Sequence, residues 1–419
     1  MKTVLLLGLG RSTHTLIKYL VAHATDLNIR IILGDKTINN FIKSYTEYPF
    51  CDFIVFDVDN ALLRESYISK ADLVISMLPP RFHILVAKEC IRFRKNLITA
   101  SYASDEMRNL DKSAKDAGIL ILNEVGLDPG IDHISAMDII DSLKRKGALI
   151  DSFKSFCGGL IAPESDNNPW NYKITWNPKN IILAGKSGAS YLKNGVVTSF
   201  NYEDVFSNLE KVVIPNYGDF ESYANRDSLH YKEKYNLHNT TTIVRGTLRH
   251  VGFSKAWNVF VQLGMTSDNN EKMINKEEFI KYVQSLNDQD VIEKMNYLDL
   301  FNAKYSNIDY TSPFDYLMNV LKDKWLLNES DKDMIVMQHK FQYCLYNERK
   351  ELKLSMVVKG DDSVQTAMAK TVGLPVFFAC KLLLKDKIKL RGVRIPVYPE
   401  IYAPILKELS NEGINFIQS

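Results

Sequence analysis

The chain has 419 residues, with 52 Lys plus Arg against 50 Asp plus Glu, 46% apolar and 24% charged positions. That length suits two or three domains, and the composition excludes a mostly disordered or collagen-like chain. A net charge of +2 gives no broad basic field for sequence-independent nucleic-acid binding. No run reaches the ~18 apolar residues of a membrane span, because Arg11 and Lys381 interrupt the nearest candidates.

Residues 4–10 after Met1-Lys2-Thr3 look like the start of a signal peptide, with Ala22-His23-Ala24 as a mock cleavage site. The apolar core is too short, and Arg11, His14 and Lys18 follow where a signal stays apolar. The runs at 4–7, 29–33, 53–56, 73–75, 96–99 and 119–122 have strand length without alternation, as in a parallel sheet covered on both faces. Between the first two, Leu16, Ile17, Leu20, Val21 and Ala24 fall on one helical face. Repeated strand–helix–strand units predict an α/β fold, a doubly wound Rossmann-type sheet. From about 149 the texture turns β-rich, with a hairpin signal at Lys193-Asn194-Gly195. A polar stretch follows with helical spacing in Phe279, Ile280, Tyr282 and Val283, and again in Phe314, Tyr316, Leu317, Val320 and Leu321. The expected domains are a dinucleotide-binding domain (1–130 plus about 363–419), an α+β substrate domain (131–266 plus about 351–362) and a helical insert (267–350).

Gly8-Leu9-Gly10-Arg11-Ser12-Thr13 closes the first strand and opens the first helix. Gly8 permits the tight turn and Gly10 lets the backbone approach a pyrophosphate at the helix N-terminus. Thr13 stands where a third Gly or Ala is usual, which loosens helix-on-sheet packing. Asp35 closes the second strand, where a carboxylate accepts from ribose hydroxyls and repels a 2′-phosphate. NAD is therefore favoured over NADP, and a solvated loop role for Asp35 is the plain alternative. Asp57 and Val58 follow the third strand at the adenine edge, and Leu78 and Pro79 follow the fourth along the cofactor backbone. Three more polar segments end strands: Thr99-Ala100-Ser101-Tyr102, the run Asn123-Glu124-Val125-Gly126-Leu127-Asp128-Pro129-Gly130, and Phe156-Cys157-Gly158-Gly159. Asp128 sits on a rigid turn that it either uses for chemistry or merely shapes. Cys157 reads by default as a small buried residue. Asp132 and His133 open a helix and read as caps, since no second His or Cys lies at metal spacing. Cys51, Cys90, Cys157, Cys344 and Cys380 are odd in number and form no C-x-x-C pair, which points to a reduced, cytoplasmic protein without a zinc site.

The segments I-S-M-L-P, T-A-S-Y, N-E-V-G-L-D-P-G-I-D-H, C-G-G-L-I-A-P-E-S-D-N-N-P, N-R-D-S, R-G-T-L-R and P-E-I-Y-A-P-I-L together resemble the glutamate-forming saccharopine dehydrogenases. The likeness spans most of the chain and is weak over about 267–350. It implies a nucleotide domain closed by the C-terminal segment, a substrate domain and a helical insert. It also implies interconversion of saccharopine with glutamate and 2-aminoadipate 6-semialdehyde, hydride passing between the carbon beside nitrogen and a nicotinamide. Arg226 and Arg249 match carboxylate-binding positions, for which a planar guanidinium is suited. Ser101, Thr247 and the Leu248 backbone match substrate contacts. Tyr102, Asp128 and Cys157 match positions near the reacting nitrogen and are the acid–base candidates. Ala100, Ser101, Leu127, Asp128 and Asn177 match positions close to the cofactor. A homodimer is expected by analogy, with neither nucleic acid nor membrane as partner. The competing readings are a carboxynorspermidine-type imine reductase, whose product calls for acidic residues in place of the arginines, and a nucleotide-binding module without catalysis.

Overall fold

The computed structural model describes residues 1–269, 274–306 and 310–419. They form two units, Met1–Asp141 with Met368–Asn415, and Ser142–Ala367 with Phe416–Ser419.

The first unit is a Rossmann-type sheet. Its strands are β1 (Lys2–Leu7), β2 (Ile29–Asp35), β3 (Cys51–Val55), β4 (Leu73–Ser76), β5 (Asn96–Thr99) and β6 (Leu120–Leu122). A seventh strand, Gly392–Arg394, pairs in parallel with β6, so the order runs from it through β6, β5, β4, β1 and β2 to β3. The reversal of direction at β1 sets β1 and β4 side by side, and that switch point opens the ligand crevice at the carboxyl ends of the strands. Residues 4–7, within the mock signal segment, are fully buried in the interior strand β1.

One expectation is corrected here. The helix Ala367–Leu384 is long and apolar enough to cross a membrane by length and composition, Lys381 notwithstanding, and 78% of it is buried within the protein. It is packed as a core helix. A Cβ on Gly373 would lie 2.7 Å from the Leu16 amide, so the glycine lets this helix touch the helix His14–Ala22 backbone to backbone.

The second unit is built on a mixed ten-stranded sheet. Its strands are β7 (Leu149–Ile161), β8 (Ala189–Lys193), β9 (Val196–Phe200), β10 (Leu209–Ile214), β11 (Gly218–Ala224), β12 (Arg226–Asp227), β13 (Thr242–His250), β14 (Asp333–Leu345) and β15 (Glu348–Lys359), with the short strand Ile417–Gln418 at one end. The main order is β10–β11–β13–β7–β14–β15–(Ile417–Gln418), while β8, β9 and β12 branch beside β13. The β8–β9 hairpin turns on Asn194 and Gly195 at φ 51° and 80°, both left-handed as such a two-residue turn requires.

Helices Lys276–Ser285, Gln289–Leu298 and Pro313–Lys324 pack Phe279, Val283, Val291, Met295, Leu317 and Leu321 into an aromatic-rich core around Trp170, Trp257 and Trp325. The insert is shorter than expected at its C-terminal end. Residues 333–345 belong to β14, the antiparallel partner of β7 from Asp333↔Ile161 onward. The last four residues join this unit and not the Rossmann sheet, because Gln418 pairs with Leu354 and the Phe416 ring stacks on His339 at 5.5 Å.

Candidate functional site

In the first unit, Gly8 stands at φ 88° with its amide donating to Gly34 O at 2.9 Å. A Cβ there would meet the backbone of Met77 and Leu78 at 2.7 Å, so only glycine lets β1 pass the segment after β4. Around Gly10, by contrast, a Cβ would find nothing within 4 Å, leaving an open cradle beside the helix N-terminus. The amides of Arg11 and Ser12 have no intrahelical acceptor there and suit a pyrophosphate. Thr13 is buried, and its hydroxyl donates to Gly10 O at 2.6 Å, so the larger residue is absorbed within the turn.

Asp35 is engaged by the glycine turn itself. Its carboxylate accepts from the Leu9 amide at 2.7 Å and from the Lys36 amide at 2.6 Å, latching the glycine turn to β2. Lys36 extends to Asp57 at 3.2 Å, an exposed pair. The Asp59 amide and then Lys36 hold the Asp57 carboxyl below the usual range. Val58 is 2% exposed and sits in the core, so its side chain is not available to an adenine. Leu78 is half-buried and Pro79 exposed beside the turn.

At the ends of β4, β5 and β6 the polar groups converge. The Tyr102 hydroxyl donates to Asp128 Oδ1 at 3.0 Å, which joins two of the acid–base candidates directly. Gly126 lets this turn close on Ala100, whose Cβ would lie 3.0 Å from a Cβ at 126, and Leu127 is buried beneath it. Asp132 accepts from the Gly130 amide at 2.6 Å, a capping role at the start of the helix Ile131–Arg145. His133 reaches into the core. Its Nε2 lies 2.7 Å from Glu124 Oε2, both side chains sealed from solvent, because the first helical turn points it into the core.

Glu124 was not singled out by the sequence, yet it brackets Tyr102. Its amide donates to Ser101 O at 3.1 Å and its Oε1 accepts from the Ala103 amide at 3.1 Å. His83 was missed as well. Its Nδ1 lies 2.8 Å from Ser76 Oγ, and its Nε2 lies 2.8 Å from Ser101 Oγ and 3.2 Å from Thr99 Oγ1. The only sequence signal for either was a polar residue near a strand end.

Burial pushes the His83 pKa down from 6.5 to about 4. A histidine depressed in the folded state stabilises fully above its unfolded pKa and loses that contribution as pH falls toward the folded value. Stability should therefore fall by about 3 kcal/mol between pH 6.5 and 4 on account of this group. Urea titrations of wild type and His83→Gln at pH 7 and pH 5 check this. An equal slope in both would show that His83 is not the group responsible.

In the second unit, β7 and β13 run parallel with Cys157 opposite Thr247. Gly158 makes this approach feasible, since a Cβ there would lie 2.6 Å from Leu248 O. Arg245, Thr247 and Arg249 share one face of β13 by strand alternation. Leu248 is turned to the opposite, buried side, and its carbonyl accepts from Arg249 at 2.8 Å. Cys157 is buried and forms no disulfide among the described residues.

Arg249 is 7% exposed, and its Nε has no hydrogen-bond partner among the described residues. The guanidinium lies 5.2 Å from the Tyr172 ring, 5.3 Å from Phe253 and 5.7 Å from Tyr223. Burial raises the Tyr172 phenol, while the Arg249 charge pulls it back. Glu221, its neighbour across the strands, accepts from the Gly252 and Ser254 amides and so caps the following helix. An aromatic-walled cation without a carboxylate is a ready anion site. Arg226 is exposed on β12 at φ 53°, a backbone region that a non-glycine residue seldom adopts. Asn177 is exposed, and its side chain accepts from the Lys179 amide at 3.1 Å in the turn before a short helix.

Two family models match the chain: the saccharopine dehydrogenase NADP binding domain over residues 4–122 and the saccharopine dehydrogenase C-terminal domain over 126–414. The chain belongs to the saccharopine dehydrogenase family. The saccharopine dehydrogenase [NADP(+), L-glutamate-forming] of Pyricularia oryzae is 33% identical over 98% of this chain and 97% of its own. Mouse mitochondrial alpha-aminoadipic semialdehyde synthase is 36% identical over 99% of this chain, which spans 47% of that longer protein. The apo saccharopine dehydrogenase (L-Glu forming) of Saccharomyces cerevisiae superposes with a TM-score of 0.89 at 31% identity, covering 100% of this chain and 99% of that one. A homospermidine synthase from Legionella pneumophila shares the fold alone, with a TM-score of 0.64 at 9% identity.

Proposed function

We propose that this member of the saccharopine dehydrogenase family interconverts saccharopine and water with glutamate and 2-aminoadipate 6-semialdehyde, using NADP. The observation that carries the reading is Arg249, a buried cation with an unpaired Nε, suited to one carboxylate of a tricarboxylate amine. Arg226 takes a second carboxylate in this reading. A bound nicotinamide supplies or accepts the hydride. The Gly8–Thr13 turn holds its pyrophosphate. The Tyr102–Asp128 pair then moves protons at the substrate nitrogen and at the attacking water, with Cys157 as the alternative for that role. Thr247 and the Leu248 backbone line the carboxylate end. The joined hydroxyl and carboxylate speak against a module that has lost catalysis.

The phosphorylated cofactor is favoured for two reasons. The 33%-identical fungal relative is an NADP(+) enzyme by name, and each oxygen of the Asp35 carboxylate already accepts from a backbone amide, leaving fewer lone pairs for ribose hydroxyls. Lys36, in an exposed pair with Asp57, is a cation available to a 2′-phosphate. Nicotinamide reduction followed at 340 nm with saccharopine and each cofactor tests both parts. Turnover with neither cofactor would end the functional reading, and faster turnover with NAD would end the cofactor reading. Lys36→Ala is expected to raise the KM for NADP by roughly tenfold while leaving that for NAD within about twofold.

A further inference from the structure

His83 has no part in the reaction proposed above, yet both of its ring nitrogens are engaged. Ser76 closes β4, Thr99 closes β5 and Ser101 follows two residues later, and the three hydroxyls meet on this one ring. Ser76, Thr99 and His83 are 0%, 1% and 3% exposed, whereas Ser101 is only half-buried. A buried neutral imidazole has one N–H and one lone pair, so each hydroxyl can be assigned a direction.

Among the described residues the Ser76 hydroxyl meets no polar group other than Nδ1. It can place its proton only if Nδ1 is the lone-pair nitrogen. With the proton on Nδ1 instead, the Ser76 hydroxyl hydrogen would be buried without an acceptor, and Ser101 or Thr99 would have to turn inward to Nε2. An unmade buried hydrogen bond is unfavourable, so the Nε2–H form wins. In that form the ring donates to Ser101 Oγ, the nearer of its two oxygens at 2.8 Å. Thr99 Oγ1 is drawn on in addition by the Ser101 amide at 3.2 Å. The Ser101 oxygen is thereby used as an acceptor from inside, and its proton is left for whatever lies on the open side.

We propose that His83 is a positioning residue that presents the Ser101 hydroxyl as a donor to a substrate carboxylate. This rests on the reading of Ser101 as a substrate contact. A serine held in this way keeps its proton for a carboxylate oxygen and has one of its two lone pairs already used, so it favours an acceptor over an ammonium group. It therefore adds discrimination toward acidic substrates at a point that carries no charge of its own.

Steady-state kinetics on the full chain, with saccharopine varied and NADP saturating, tests the assignment. Ser101→Ala should raise the KM roughly tenfold with kcat within about threefold, as expected for one charge-assisted hydrogen bond. His83→Asn, whose amide reaches only the Nδ1 position, should do the same, and adding it to Ser101→Ala should raise KM no further. His83→Gln, whose amide nitrogen can stand in for Nε2–H, should restore the KM to within about threefold of wild type. Equal KM values in His83→Asn and His83→Gln, or additive effects in the double variant, would overturn the proposal. An unchanged KM in Ser101→Ala would instead remove Ser101 as a substrate contact and take the proposal with it. If His83→Asn does not fold, Ser76→Ala releases the same ring, and there an unchanged KM overturns the assignment.

Discussion

Replacing Arg249 with alanine is expected to weaken saccharopine binding by about 2–5 kcal/mol, or about 30-fold to several thousand-fold in KM. Most of that loss is the carboxylate left without its partner in a site walled by Tyr172, Tyr223 and Phe253. Arg249→Lys should fall between, since a lysine keeps the charge and loses the planar fork. Binding of the dinucleotide alone should be unaffected. A second readout separates function from architecture. The free protein holds this guanidinium buried with an unpaired Nε, so Arg249→Met should be no less stable toward urea than wild type. An unchanged saccharopine KM in Arg249→Ala would remove the residue from the site and with it the main support for a carboxylate-rich substrate.

The second large effect is expected at Asp128. Asp128→Asn should lower kcat by about 10²–10⁴-fold while changing the saccharopine KM little, the range typical of a lost general acid–base group. The carboxylate accepts from the Tyr102 hydroxyl at 3.0 Å, so the two should act as one unit. Tyr102→Phe should then give a comparable loss, and the double variant should be little worse than the poorer single. Steady-state rates at saturating saccharopine and NADP measure this. A kcat within threefold of wild type in Asp128→Asn would shift the proton-transfer role to Cys157. Additive losses in the double variant would mean that tyrosine and aspartate serve separate steps.

Much of the first unit was legible because its strands are buried on both faces. Continuous apolar runs at 4–7, 73–75 and 119–122 have no other good use in a chain of this composition, and they became β1, β4 and β6. The Tyr102–Asp128 contact was anticipated only as two neighbouring candidates, and the carboxyl ends of β5 and β6 bring them together. Asp35 shows the limit of local reading. A carboxylate at the end of β2 can face a ribose or turn back onto the glycine loop, and sequence does not distinguish these. In the structure this carboxylate accepts from the Leu9 amide at 2.7 Å. His83 and Glu124 were invisible for a related reason, since one buried imidazole or carboxylate has no periodic signature. Their partners lie on other strands or loops, as far as 21 residues away in the chain between Ala103 and Glu124.

The order of amino acids alone determined the alternating strands and helices, the glycine turn at 8–10, the hairpin at Asn194-Gly195 and the motifs of the family. Each of these depends on local backbone preference or on burial repeated at short period. Tertiary structure alone decided that residues 333–345 complete the second sheet against β7, that the apolar helix 367–384 is a core element, and that the Arg249 Nε is buried without a partner among the described residues. Those outcomes depend on which distant segments meet and on which polar groups are left over once all neighbours are paired. Such a sum is defined only in three dimensions.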